Sequence, residues 1–208
     1  FSFGEILDKD GNFYNDNYRS AKSLYKYIFR NGKQTYKPTL TFYGFRYVRV
    51  DSYPTAVDPN NFTAIVVHSE LKRTGFIESS DPLLNQLFSN ILWSQKDNFL
   101  DIPTDCPQRD ERLGWMGDAQ VFIRTASYNY NVLNFFKKWL NDVKAEQYKN
   151  GAVPDLVPSI YPRKPRISTA WGDAVAVCPW QCYLPYGDTE ILESLFEPIC
   201  KWVEYITK

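Results

Sequence analysis

Ser79-Ser80-Asp81-Pro82-Leu83-Leu84-Asn85-Gln86-Leu87-Phe88-Ser89-Asn90-Ile91-Leu92 is where the chain changes its grammar. Ser79, Ser80 and Asp81 offer side-chain oxygens to the unpaired amides of a helix start, and Pro82 has no N–H to lose at the first helical position. Leu84, Leu87, Phe88, Ile91 and Leu92 then recur at the spacing of one helix face. Upstream the text reads as strands. Asp10-Gly11 and Asn31-Gly32 are hairpin-type turns, Thr39–Val50 is dense in β-branched and aromatic residues, and Thr63–His68 is a further short apolar strand. Ser20–Tyr25 fits a helical turn or a strand, and both readings stay open.

Downstream the helical reading continues. A second helix is expected from Asn131 to about Tyr148, with Val132, Phe135, Phe136, Trp139, Leu140 and Val143 on one stripe and Lys149-Asn150-Gly151 as its stop. Pro154, Pro158, Pro162 and Pro165 make Val153–Arg166 an irregular loop. Helix is expected again over Ala170–Cys182, with Pro179 a kink, and from Asp188 onward, with Pro198 a kink or a restart. Strands first and helices afterwards point to two segregated units and not to an alternating parallel sheet.

Composition narrows the function classes. Of 208 residues, 24 are basic and 24 acidic, so the net charge is zero, whereas a nucleic-acid or anionic-membrane binder normally carries a basic surplus. No stretch approaches the roughly 18 uninterrupted apolar residues of a membrane span. Four cysteines are too few for a disulfide-built scaffold, and the single histidine, His68, must serve any zinc site or histidine-based triad. Six Trp, 15 Tyr and 14 Phe fit either a heavy core or a groove for flat-faced ligands such as sugars. The first residues carry no leader pattern and no starting methionine, so the expectation is a mature product or a cut piece. The helical pattern still running at Lys208 points the same way.

One segment departs from both grammars. Between Asp105 and Asp118, 14 positions hold four carboxylates, two arginines and a tryptophan, with Pro107, Gly114 and Gly117 fixing the backbone. A solvated charge run is the bland alternative, but such a run does not need interleaved Gly, Pro and Trp. Neighbouring carboxylates with an aromatic wall suit glycosidic cleavage, in which one acid protonates the leaving oxygen and another carboxylate activates water or attacks. Other signals carry less. Asp8-Lys9-Asp10-Gly11-Asn12 lacks EF-hand spacing and reads as a turn. Cys178 and Cys182 read as buried thiols, Cys106 as packing and His68 as structural. Asn61-Phe62-Thr63 fits a glycosylation sequon.

The run Asp105-Cys106-Pro107-Gln108-Arg109-Asp110-Glu111-Arg112-Leu113-Gly114-Trp115-Met116-Gly117-Asp118 closely resembles the active-site signature of the bacterial α-L-rhamnosidases, glycoside hydrolase family 78. Tyr43–Val48 looks like the end of that family's β-sandwich domain, and Trp171-Gly172-Asp173-Ala174 with Pro179-Trp180 is similar to a second pocket segment. The resemblance implies a multidomain β-then-α chain: a β-sandwich remnant over 1–70, a linker over 71–80, and the N-terminal helices of an (α/α)6 barrel over 81–208. It implies metal-independent, cofactor-free, inverting hydrolysis of terminal α-L-rhamnose from glycosides or polysaccharides. Glu111 would be the general acid. Asp105, Arg109 and Asp118 would bind rhamnose hydroxyls, and Trp115 and Trp171 would line the sugar pocket. Asp173 is equally a pocket ligand or a structural carboxylate.

The family's general base is a glutamate farther downstream than these residues reach, so this chain by itself is expected to be inactive. Inversion predicts carboxyl groups about 6.5–9.5 Å apart in the complete enzyme. The rival readings are a toroidal glycosidase for another sugar, a non-catalytic carbohydrate-binding module, and an interaction platform left by proteolysis.

Overall fold

The computed structural model describes residues 1–161 and 166–208, so Pro162 and Pro165 lie outside the described residues. The chain divides into two compact units: Phe1–Val67 with Cys106–Arg112, and His68–Asp105 with Leu113–Lys208.

In the first unit, β1 (Ser2–Gly4) pairs antiparallel with β4 (Tyr47–Arg49), placing Phe3 opposite Val48. β2 (Ile6–Leu7) and β3 (Phe13–Tyr14) form the expected hairpin, with Ile6 opposite Tyr14. Its turn is closed by Asp8, whose carboxylate accepts from the Asp10 and Asn12 amides at 2.9 and 2.7 Å. Phe3 stacks on Tyr43 at 4.2 Å between centroids and leans on Phe45 at 5.1 Å. The buried Tyr18 donates its hydroxyl to the Gly44 carbonyl at 2.7 Å.

Two strand expectations do not hold. Of Thr39–Val50 only Tyr47–Arg49 joins a ladder, and Thr63–His68 forms no strand. β-propensity gives a residue no partner: Ile65, Val66 and Val67 are about half exposed, with no neighbouring strand to take their amides. Ser20–Tyr25 is neither helix nor strand, apart from one bridge between Leu24 and Ser2.

The second unit is helical: α1 (Pro82–Asn98), α2 (Met116–Asn129), α3 (Leu133–Glu146), the short α4 (Thr169–Gly172), α5 (Ala174–Tyr186) and α6 (Thr189–Ile206). A two-stranded turn, β5 (Phe99–Leu100) with β6 (Ile102–Pro103), follows α1. Asp81 caps α1 by accepting from the Leu83 amide at 2.8 Å, and Asp188 caps α6 by accepting from Ile191 at 3.0 Å. α2, α3 and α6 pack on α5, around a core of Ile123, Phe136, Trp139, Leu140, Cys178, Cys182, Leu195 and Trp202. Burial pushes the Cys178 thiol well up and the Cys182 thiol up to about 12, as inert core sulfurs require.

Two helix details differ from the pattern read in the sequence. α5 runs on to Tyr186 through Pro179. α6 is unbroken at Pro198: proline cannot donate to the Ser194 carbonyl four residues back, and that oxygen accepts from the Lys144 ammonium at 3.1 Å instead. α2 begins at Met116, so Asp118 sits in its first turn.

The segment Gly151–Val157 is irregular as expected, but it is buried. Several of its backbone groups are hydrogen-bonded there. The Asp155 carbonyl takes the Met116 amide at 2.9 Å, Val157 N–H donates to Gly114 at 2.9 Å, and the Trp139 indole donates to the Val157 carbonyl at 3.0 Å.

Candidate active site

The first unit carries a cluster of guanidinium and carboxylate groups. Arg19 Nε donates to Asp110 Oδ1 at 2.7 Å, and its Nη2 lies 2.5 Å from the same oxygen and 3.2 Å from Glu111 Oε2. Arg109 Nη2 meets that same Glu111 oxygen at 3.1 Å. The Ser20 hydroxyl donates to the other Asp110 oxygen. These hydrogen bonds, from Ser20 first and then Arg19, hold the Asp110 carboxyl below the usual carboxylate range. The same contacts, Asp110 foremost, raise the Arg19 guanidinium above its ordinary value. Glu111 remains partly exposed, at 36% of its side-chain surface.

The second unit holds a groove of about 560 Å³ lined by residues of α1, α2, α4 and the turn after α1, among them Asn98, Thr104, Asp105, Gly117, Asp118 and Trp171. Its walls follow from local structure. Asp105 is tied back to the start of α2, accepting from the Leu113 amide at 3.1 Å while its own amide donates to the Leu113 carbonyl at 3.3 Å. Asp118 sits in the first turn of α2, where the partial positive charge of the helix N-terminus favours a carboxylate. Gly117 lets α4 come close: a Cβ there would stand 2.8 Å from the Trp171 indole nitrogen. Gln120 fixes α4 from the other side by donating to the Ala170 carbonyl.

The residues singled out in the sequence therefore fall into two groups. Asp105, Asp118 and Trp171 share the groove of the second unit, and Arg109 pairs with Glu111 in the first. Trp115 is not among the groove's lining residues. The Arg166 guanidinium lies over its ring at 5.4 Å, and its indole N–H is buried without an acceptor among the described residues. Asp173 accepts from the Trp202 indole at 2.9 Å and is not among the groove's lining residues. Reading the sequence missed Arg19 and Ser20, which lie some 90 positions from the carboxylate they bind. It also missed Asn98, Thr104 and Gln120, which carried no motif.

Comparison with known proteins bears on both groups. The family model for the bacterial α-L-rhamnosidase six-hairpin glycosidase domain matches residues 72–208, and that for the bacterial α-L-rhamnosidase concanavalin-like domain matches residues 1–68. The chain belongs to the bacterial α-L-rhamnosidase family. A relative called α-L-rhamnosidase in Formosa agariphila is 44% identical over 206 residues, covering 98% of this chain and 22% of that protein.

The α-L-rhamnosidase of Dictyoglumus thermophilum superposes with a TM-score of 0.92 at 36% identity, over 99% of this chain and 23% of that one. The Streptomyces avermitilis α-L-rhamnosidase, solved in complex with L-rhamnose, gives 0.88 at 38% identity, over 98% and 20%. The chain thus spans about a fifth of the length of these family members. Its architecture is that of the rhamnosidases, a concanavalin-like β segment followed by helices of the six-hairpin glycosidase domain, as the resemblance implied. No helix among the described residues is long and apolar enough to cross a membrane.

Proposed function

We propose that this chain supplies the acid-bearing and sugar-holding residues of an inverting α-L-rhamnosidase acting on terminal α-L-rhamnose in glycosides or polysaccharides. The supporting observation is the unbroken run Asp105–Asp118, two of whose carboxylates line one monosaccharide-sized groove beside Trp171. Asp105 and Asp118 accept from sugar hydroxyls, Arg109 donates through its planar fork, and the face of Trp171 suits the apolar ring face and methyl group of a 6-deoxy sugar. Glu111 gives its proton to the glycosidic oxygen as the bond to the anomeric carbon breaks. A second carboxylate takes a proton from the water that attacks the opposite face. No residue of this chain is assigned to that second role, so the chain alone is expected to release no nitrophenol from an aryl rhamnoside.

The domain limits 1–70, 71–80 and 81–208 belong to the same proposal. The test is the stereochemistry of the first product. In the enzyme that carries these residues, early proton NMR spectra of an α-L-rhamnoside digest should show β-L-rhamnose before mutarotation. α-L-Rhamnose appearing first, or faster cleavage of another glycoside in an aryl-glycoside panel, would overturn the reading. No cleavage of any of them would favour a carbohydrate-binding module.

A further inference from the structure

We propose that Arg19 is a positioning residue for Glu111, setting the orientation of that carboxyl from a turn distant in sequence. The inference rests on the reading of Glu111 as the general acid and deepens it. Two dipeptides interlock in the first unit: Arg19 reaches both Asp110 and Glu111, and the adjacent Ser20 holds the second Asp110 oxygen. The backbone that makes this possible is unusual. Arg19 has φ 57° and ψ −118°, on the left-handed side that side-chain-bearing residues rarely adopt, and Tyr18 just before it is anchored on the Gly44 carbonyl.

Such a conformation persists only where surrounding contacts hold it, and it clusters at functional sites. The Arg19 side chain is 48% exposed, and ion pairs of that exposure add little stability.

The segment that bears the acid is fixed to the first unit at other points as well. Gly44 packs so closely on Pro107 that a Cβ would come within 2.9 Å of the ring, and Gln108 donates to Glu5 at 3.0 Å. Arg19 supplies the attachment nearest the carboxyl. Asp110 is the closer partner of Arg19, at 2.5 Å against 3.2 Å for Glu111, so Arg19 is held on Asp110 while it reaches the acid. Both guanidinium contacts to Glu111 fall on Oε2, which leaves Oε1 as the oxygen that carries and delivers the proton. A loose acid is costly, since a misplacement of about 1 Å can lower a rate about 100-fold.

General acid help matters for a poor leaving group and hardly at all for a good one, which separates positioning from structural support. The experiment compares Arg19→Ala, Arg19→Lys and Glu111→Gln in the enzyme that carries these residues. Substrates are methyl and 2,4-dinitrophenyl α-L-rhamnosides, and thermal midpoints confirm folding. Arg19→Ala should lower kcat on the methyl rhamnoside by about 10- to 100-fold with KM little changed. The dinitrophenyl rhamnoside should be nearly unaffected, and Arg19→Lys should restore part of the loss. If Glu111→Gln shows this leaving-group contrast and Arg19→Ala does not, or loses equally on both substrates, the positioning role is overturned while the acid stands. If Glu111→Gln itself shows no contrast, the acid assignment fails and this inference with it.

Discussion

Gly117 shows how a single hydrogen atom shapes the groove. It lies in the first turn of α2, where alanine is ordinarily the better helix former by about 1 kcal/mol. Its α-carbon nevertheless faces the edge of Trp171, at a distance a methyl group would close. Gly117→Ala is therefore expected to keep α2 intact and displace the indole, weakening L-rhamnose binding about tenfold, in line with an overpacking cost of about 1–3 kcal/mol. Titration calorimetry reads this directly, and unchanged affinity would remove Trp171 from the sugar wall. The Asp105–Asp118 run stood out in the sequence because a carboxylate run broken by Gly, Pro and Trp is rare in a solvated loop, whereas the separate roles of Glu111, Asp105 and Asp118 came from the family resemblance alone. Arg19 was not readable. Nothing in Tyr18-Arg19-Ser20 announces a left-handed backbone, and its partners lie beyond the reach of any local pattern.

Helices were the most legible elements because their signals are local. Asp81-Pro82 and Asp188 marked starts that the hydrogen bonds bear out, and the stripe on α3 is buried as its spacing required. Strands were less legible, since Thr63–His68 has the composition of a strand but no neighbour to pair with. At Pro198 the helix does not restart, and the carbonyl that proline leaves unpaired is taken by Lys144, a residue of another helix.

The α6 start also makes a prediction about pH. The Asp188 carboxyl is held below its ordinary range by the Ile191 amide first and by Lys137 as well. A depressed carboxyl contributes stability above its unfolded range and loses it as the pH falls through its folded range. Asp188→Asn should therefore lower the thermal midpoint relative to wild type at neutral pH. The gap should shrink as the pH falls below about 4. A gap independent of pH would mean the charge contributes nothing beyond the cap.

At the scale of the whole molecule, the charge is balanced at 24 basic and 24 acidic residues, and no helix among the described residues is long and apolar enough to cross a membrane. The β-then-α order was legible from local patterns, and the resemblance carried by the Asp105–Asp118 run, which follows α1, supplied the rhamnosidase architecture. The division of that run was not legible: Cys106–Arg112 packs with the first unit while its flanks belong to the second, a consequence of tertiary contacts that no periodicity encodes. The central claim is that the proton handed to the departing sugar oxygen comes from Glu111. The measurement that tests it most directly is the turnover of a rhamnosyl disaccharide by Glu111→Gln in the enzyme that carries these residues, alongside calorimetric titration with L-rhamnose. The expected result is a kcat lower by about 10²- to 10⁴-fold with rhamnose affinity retained. Turnover at the wild-type rate would contradict it.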